Sequence, residues 1–436
     1  MILKLLKSTF VVSLAFFLLW GFSDSYSSHT IDNIVHVVAI GIDKSQDDNN
    51  MKVSFQFVNT PSSSQGSSEG ETSTVVTSIN TSTLNKAINL MNSFIGKELN
   101  FSHCKVIVFS EDFAKKGIST EIFTMINNEE LRPSTNIIIS TSDANSYLKN
   151  SNPNIEKVVT NYYDTFELTS NFTGYSDDIT IGKFYNNLFK PSTANTAILG
   201  RTFKKSSESQ NSSQESEDSS SEKKQEASSQ SNNSGQSSGG IELQNDSGGA
   251  TLEISGQRGT QNVGIAVFKK DKYVGQLSEI DSICHLLVTN NVDSFILSIP
   301  NKDYPDNLID LSISPVRNCK ISVDTSSDTP FISLSVFCDA KILTIGKSYS
   351  YSNPEVLENL SEQAKNFLKK NIENYLNKTS KELDSDIAGF SKHAIINFLT
   401  IEDWDNYNWI SKYSNSKFNV NVNLNVSSSL LFSGDQ

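Results

Sequence analysis

Between Phe203 and Arg258 the chain turns almost wholly to Ser, Gln, Asn, Glu and Gly, as in SSESQNSSQESEDSSSEKKQEASSQSNNSGQSSGG. With so few aliphatic and aromatic side chains, this tract cannot bury enough apolar area to offset the entropy of ordering its backbone, so it reads as a disordered tether. It divides the sequence into an N-terminal half, 29–202, and a C-terminal half, 259–436, each long enough for a core of its own. A shorter tract of the same kind, Ser62 to Gly70, is expected to be a loop within the first half.

The first 28 residues have the layout of a signal peptide or short membrane anchor. Lys4 and Lys7 precede an apolar run from Phe10 to Phe22, and small polar residues follow. The run is shorter than the ~20 residues that span a bilayer comfortably, which favours cleavage over permanent anchoring. Export is the expectation. The net charge of -13 repels nucleic acid phosphates, so nucleic acid is excluded as a partner.

Both halves mix strand and helix signals, which predicts an α+β fold of mixed and antiparallel sheets flanked by helices. In the first half, Val35–Asp43, Val53–Val58, Cys104–Phe109 and Asn136–Ser140 read as strands. Leu84, Ala87, Ile88, Met91 and Ile95 recur at helical spacing, and a second helix is expected over Ile181–Phe189, stopped by Pro191. The second half opens with a hairpin, Val263–Lys269 and Tyr273–Leu277, followed by a helix that Ser278 and Asp281 begin as a capping box. Strands follow at Phe295–Ile299, Leu308–Ser314, Lys320–Val323 and Phe331–Ile342. A helix of roughly 30 residues, about 45 Å long, then starts at Pro354 with Asn353 as its cap. The chain closes on an alternating strand in which Phe418, Val420, Val422, Leu424 and Val426 form the buried face and Asn419, Asn421, Asn423 and Asn425 the wet one.

Signals for chemistry are sparse. The five histidines (His29, His36, His103, His285, His393) stand singly, none four residues from another histidine or a cysteine, so no metal or cofactor is expected. Cys104, placed on a strand with Val106 and Val108 on its face, reads as core. No nucleophile-elbow, Walker, zincin or dinucleotide motif occurs. The paired carboxylates Asp177/Asp178, Glu129/Glu130 and Asp384/Asp386 read as solvated, helix-capping faces. Cys319 and Cys338 lie near the ends of a hairpin that turns between Asp324 and Pro330, on one apolar face. This admits a disulfide between them, or else two buried thiols.

Several segments carry a resemblance. IDNIVHVVAIGIDK (Ile31–Lys44) with VSFQFVN (Val53–Asn59), SHCKVIVFSEDFAKKGI (Ser102–Ile118), GIAVFKKDKYVGQLSEID (Gly264–Asp281), and DIAGFSKHA (Asp386–Ala394) ahead of Trp404 and Trp409 stand in an order and spacing that resembles the Ger(x)C family. These are the C-subunits of spore nutrient germinant receptors. The resemblance implies a three-domain lipoprotein-like fold and no enzymatic activity. It also implies a place on the outer face of the spore inner membrane, beside two integral-membrane subunits of A and B type. One departure stands out: where the family has a lipid-accepting cysteine, this chain has Phe22, which cannot take a diacylglyceryl group. The competing reading is an exported solute-binding protein that captures a small nutrient in a cleft of its own.

Overall fold

The computed structural model describes residues 9–10, 12–14, 33–58, 74–151, 159–190, 194–202, 259–300, 308–343 and 354–427. Most of the amino-terminal apolar segment, Phe22, the Ser62–Gly70 tract, the 203–258 tract and the Asn353 cap lie outside the described residues.

The first sheet is nine-stranded. Its path runs β3 (Thr74–Thr81), β2 (Met51–Val58), β1 (Ile34–Lys44), β5 (Val106–Ser110), β6 (Asn136–Ser140), β7 (Thr196–Thr202), β8 (Thr260–Lys269), β9 (Lys272–Leu277), with the short β4 (Glu98–Asn100) beside the start of β1. The central strands β1, β5, β6 and β7 are parallel, and antiparallel pairs flank them on both sides. Parallel strands need cover on both faces, and VIVFS and NIIIS accordingly are buried at every position. Helices α1 (Leu84–Ile95), α2 (Ser119–Ile126) and α5 (Ile181–Leu188) cover one face through Met91, Ile122 and Phe184. Helices α3 (Ala144–Asn150) and α4 (Val159–Thr173) cover the other through Tyr147, Leu148 and Tyr163. Gly200 is required by this packing, because a Cβ there would stand 2.6 Å from the Tyr147 ring.

The second sheet is four-stranded: β10 (Phe295–Pro300), β11 (Leu308–Asp324), β12 (Phe331–Ile342), β13 (Lys417–Ser427). All pairs are antiparallel except the last, β12 with β13. Helices α6 (Glu279–Thr289) and α7 (Pro354–Asn377) supply the apolar cover. The Ser278–Asp281 capping box is formed, and a π-helical turn, Lys378–Glu382, continues α7. The stripe Leu360, Ala364, Leu368, Ile372, Tyr375 and Leu376 is buried on the core that also holds Val420, Val422 and Leu424. The expected α+β class, long helix and alternating final strand are all present.

Several readings need correction. The hairpin read as the opening of the C-terminal half is hydrogen-bonded to the first sheet: β8 pairs with β7, so the 203–258 tract joins adjacent strands of one sheet. Leu308–Ser314 and Lys320–Val323 are one strand, bent by irregularities between Pro315 and Lys320. Strands β3, β4 and β7 and helices α2, α3 and α4 went unread because they are short or carry polar residues on partly covered faces. Cys104 is 2 % exposed, but it precedes β5 and packs with Ile107 and Phe109, on the face opposite Val106 and Val108.

Thr202 and Thr260 are register partners, so the ends of the tract are already adjacent. Replacing residues 203–258 by a loop of about eight Gly and Ser residues shortens the closure by roughly three doublings, which stabilises by up to about 2 kcal/mol. Scanning calorimetry should show an unchanged or slightly raised melting temperature; a fall of several degrees would mean the tract packs on a lobe. In the second sheet, Val422→Asp places an unpaired charge where the side chain is 1 % exposed, while Asn421→Asp sits on the open face. Urea titration should find the first variant less stable by several kcal/mol and the second close to wild type.

Candidate functional site

Helix α6 is wedged between the two sheets, and its polar side chains hold them together. His285 is 2 % exposed; its Nδ1 lies 2.8 Å from the Tyr375 hydroxyl on α7 and its Nε2 lies 3.8 Å from Asp177 Oδ2. Asp177 also accepts from Thr196 Oγ1 of β7 at 2.7 Å. With the tyrosine donating to Nδ1, the Nε2 proton faces the carboxylate, and one imidazole ties the α4–α5 connection, α6 and α7 together. The partners hold the Asp177 carboxyl below its ordinary value of 3.8 although burial pushes the other way. One turn earlier, Lys378 Nζ reaches Asp281 Oδ2 at 2.9 Å, linking the end of α7 to the capping box of α6.

This Asp–His–Tyr row has the connectivity of a nucleophile, base and orienting acid, but it cannot act as one. All three side chains are sealed from solvent, and burial drives the Tyr375 hydroxyl well above the ordinary phenol value, the reverse of an activated nucleophile.

The second join lies where the chain leaves the π-helical turn. Leu383 packs over Gly275 of β9, where a Cβ would meet it at 2.6 Å, and Ser385 Oγ donates to the Phe268 carbonyl of β8 at 2.6 Å. Asp386 is buried and accepts from the backbone N–H of Phe390 (2.9 Å) and Ser391 (2.7 Å) and from Trp409 Nε1 (3.0 Å). Burial pushes its carboxyl up, against those three donors. Trp409 stacks on Trp404 with centroids 6.0 Å apart. The DIAGFSKHA segment and the two tryptophans thus form one folded unit organised by a carboxylate.

That unit displays an apolar ridge. Between the one-turn helix Ser391–Ala394 and the helix Ile401–Tyr407, the side chains of Ile396, Leu399 and Ile401 are 77 %, 99 % and 75 % exposed. The ridge is held in place from beneath. Phe398 packs on Trp404 and Tyr407, Asn397 Nδ2 donates to the Val323 carbonyl at 2.8 Å, and Thr400 caps the following helix through the N–H of Asp403. Contiguous, fixed and exposed aliphatic side chains mark a contact surface.

Family comparison identifies the two parts of the chain. Residues 27–202 match the spore germination protein N-terminal domain, and residues 263–429 match the spore germination B3/GerAC-like C-terminal domain. The chain belongs to the Ger(x)C family. Ger(x)C proteins are the C-subunits of germinant receptors. Among solved structures, the crystal structure of the GerBC protein is similar at 14 % identity with a TM-score of 0.50, covering 89 % of this chain and 96 % of that one. A comparison with curated proteins finds no match.

The carboxylate pairs fare differently from their reading as solvated faces. Asp177 and Asp386 are buried and structural, and Glu130 accepts from the Phe101 N–H, so in this Ger(x)C chain spacing alone hid their roles. His36 and His103, far apart in sequence, meet edge-on at 4.8 Å; among the described residues no group of three His, Cys, Asp or Glu is placed to hold a metal. Cys319 and Cys338 are free thiols in this structure. The irregularities in β11 put Pro315 opposite Cys338, and burial pushes the two thiols up to about 11 and about 12. The ridge left no pattern that periodicity could find.

Asp177→Asn should therefore destabilise the protein by about 1–3 kcal/mol at neutral pH. A depressed carboxyl contributes stability that is present above its unfolded value near 3.8 and is lost as pH falls through the lower folded value. Denaturation of wild type and variant between pH 7 and 2.5 should show the gap closing only at the acid end; a gap independent of pH would show that the charge is not what matters.

Proposed function

We propose that this chain serves as a non-enzymatic component of a spore germinant receptor, needed for receptor assembly and nutrient-triggered germination, on the outer face of the spore inner membrane. The ridge Ile396–Leu399–Ile401 carries the reading, as the surface that meets a membrane-embedded partner subunit. Its chemistry favours apolar protein over anionic lipid. The net charge of -13 repels anionic headgroups, and Glu402 and Asp403 stand directly beside the ridge. Among the described residues no helix is long and apolar enough to cross a membrane. Contact with integral-membrane subunits of A and B type is one way to hold such a chain at the surface.

The double variant Ile396→Asp, Leu399→Asp changes exposed positions only, so its stability should stay within about 1 kcal/mol of wild type. In sporulating cells it should fail to co-purify with the two membrane subunits and abolish germination by nutrients, while germination by a nutrient-independent route stays normal. Normal co-purification and germination would refute the assignment.

A further inference from the structure

The two sheets end on four strands, β3, β9, β10 and β13, and three of these ends are closed to a further strand. β13 has α7 against it, with Ser361 Oγ donating to the Leu424 carbonyl at 2.9 Å. β10 follows Asp293 and Ser294, whose N–H groups are taken by the Asn171 carbonyl of α4, and it ends in Pro300. β9 is overlain at Gly275 by Leu383, and the Asp271 carbonyl just before it accepts from the N–H of Ile118. An open edge is a template for another strand, which is why proteins cover, bend or charge their edges.

The fourth end, β3, is open. Among the described residues no group outside the sheet is hydrogen-bonded to the backbone of Val75–Asn80. Every residue from Thr74 to Asn80 is half-buried or exposed, while β2 beside it is buried from Val53 to Phe57. The strand TVVTSINT carries none of the usual protections: no charge, no proline, and no bulge in its register with β2. Its β-branched side chains suit a paired strand. Helix α1 widens the surface. It packs in the same core as Ile79, on the face of β3 that also carries Val75 and Thr77. Leu90 and Phe94, one turn apart on α1, are 40 % and 75 % exposed, and Val75 is 48 % exposed.

Charge identifies the occupant. No Asp or Glu occurs from Thr74 to Lys97, in a chain that carries 49 of them. A net charge of -13 holds two copies apart over most of their surface, and at this strip the repulsion is locally absent. A strand edge is also self-complementary, because two copies related by a two-fold axis present the same donors and acceptors to each other. We propose that β3 pairs antiparallel with β3 of a second copy, so that the two nine-stranded sheets run on as one and Leu90 and Phe94 of the two α1 helices meet across the axis. A register centred on Thr77 sets Val75 of each copy against Ile79 of the other, apolar against apolar, and Thr77 against itself. One short ladder with two flanking side chains is a small interface, which fits a weak dimer with a dissociation constant on the order of 10 µM. The inference goes beyond the assembly role and does not rest on the ridge.

Sedimentation velocity of the full-length protein in mild detergent, from about 1 to 100 µM, should show a monomer–dimer equilibrium. Thr77→Glu and Thr77→Lys each put like charges face to face at the axis. Each should raise the dissociation constant about fivefold or more, with an unchanged melting temperature in dilute solution. Val75→Glu, at a more exposed position, should do the same. An equimolar mixture of the Thr77→Glu and Thr77→Lys proteins should dimerise again, because the facing charges are then opposite; a contact without a two-fold axis at Thr77 gives no such rescue. In sporulating cells under mild oxidation, Thr77→Cys should yield a disulfide-linked dimer of this chain, and Asn421→Cys on the open face of the other sheet should not. Ile396→Asp should dimerise like wild type, so a failed ridge and a failed edge are told apart. A wild-type protein that stays monomeric over this range overturns the proposal. Charged variants that dimerise as tightly as wild type, or a Thr77→Cys crosslink to a different protein in place of a second copy, overturn it as well.

Discussion

Everything after the long polar tract depends on one strand pairing. β8 returns antiparallel to β7, from Thr202 against Thr260 to Thr196 against Val267, and this ladder fixes where the second half of the chain begins. Without it the β8–β9 hairpin has no sheet to extend. With it, Ile265, Val267 and Leu277 offer an apolar face on which Ile283, Leu286 and Leu287 of α6 settle, and α6 in turn gives the second sheet its floor. A bulge between Ile198 and Gly200 bends the ladder where Gly200 lets the Tyr147 ring approach. Loop closure grows only slowly with length, so a tract of this size can sit between paired strands at modest cost.

What could be read from the residues was whatever a period of two or of 3.6 imposes over enough positions. The Asn/Val alternation of β13, the α7 stripe and the Ser278 capping box are such cases, and each is found where expected. Short strands such as β4 and β7, and α4 with its mixed faces, carry too few periods to stand out. The fate of the β8–β9 hairpin was not legible at all, because strand pairing across a polar tract is set by tertiary packing and leaves no local mark. The register at Cys319 and Cys338 was not legible for a related reason: the irregularities in β11 shift it by residues that a regular ladder does not anticipate.

The polar contacts between the sheets bear on precision more than on gross stability. Burying Asp177, His285 and Tyr375 costs desolvation that apolar side chains would avoid, and Asp386 remains charge-averse despite three donors. Their geometry is directional, however. An apolar wedge could slide between the sheets, whereas the hydrogen bond from His285 to Tyr375 of α7 and its approach to Asp177 of the α4–α5 connection set the rotation and height of α6.

The parallel seating of β13 beside β12 has a consequence for how the chain is made. Partners such as Ile332 and Phe418 are separated by the whole of α7 and the tryptophan-bearing helices, so the second sheet stays open at that side until the final strand is available. During synthesis, Ile332, Leu334 and Val336 must wait with α7 beside them while the remaining chain emerges. The first sheet, complete once β9 has been made, can be folded by then. Any ribosome that stalls before Lys417 therefore leaves a protein with one finished lobe and one adhesive one, a natural substrate for chaperones and quality-control proteases.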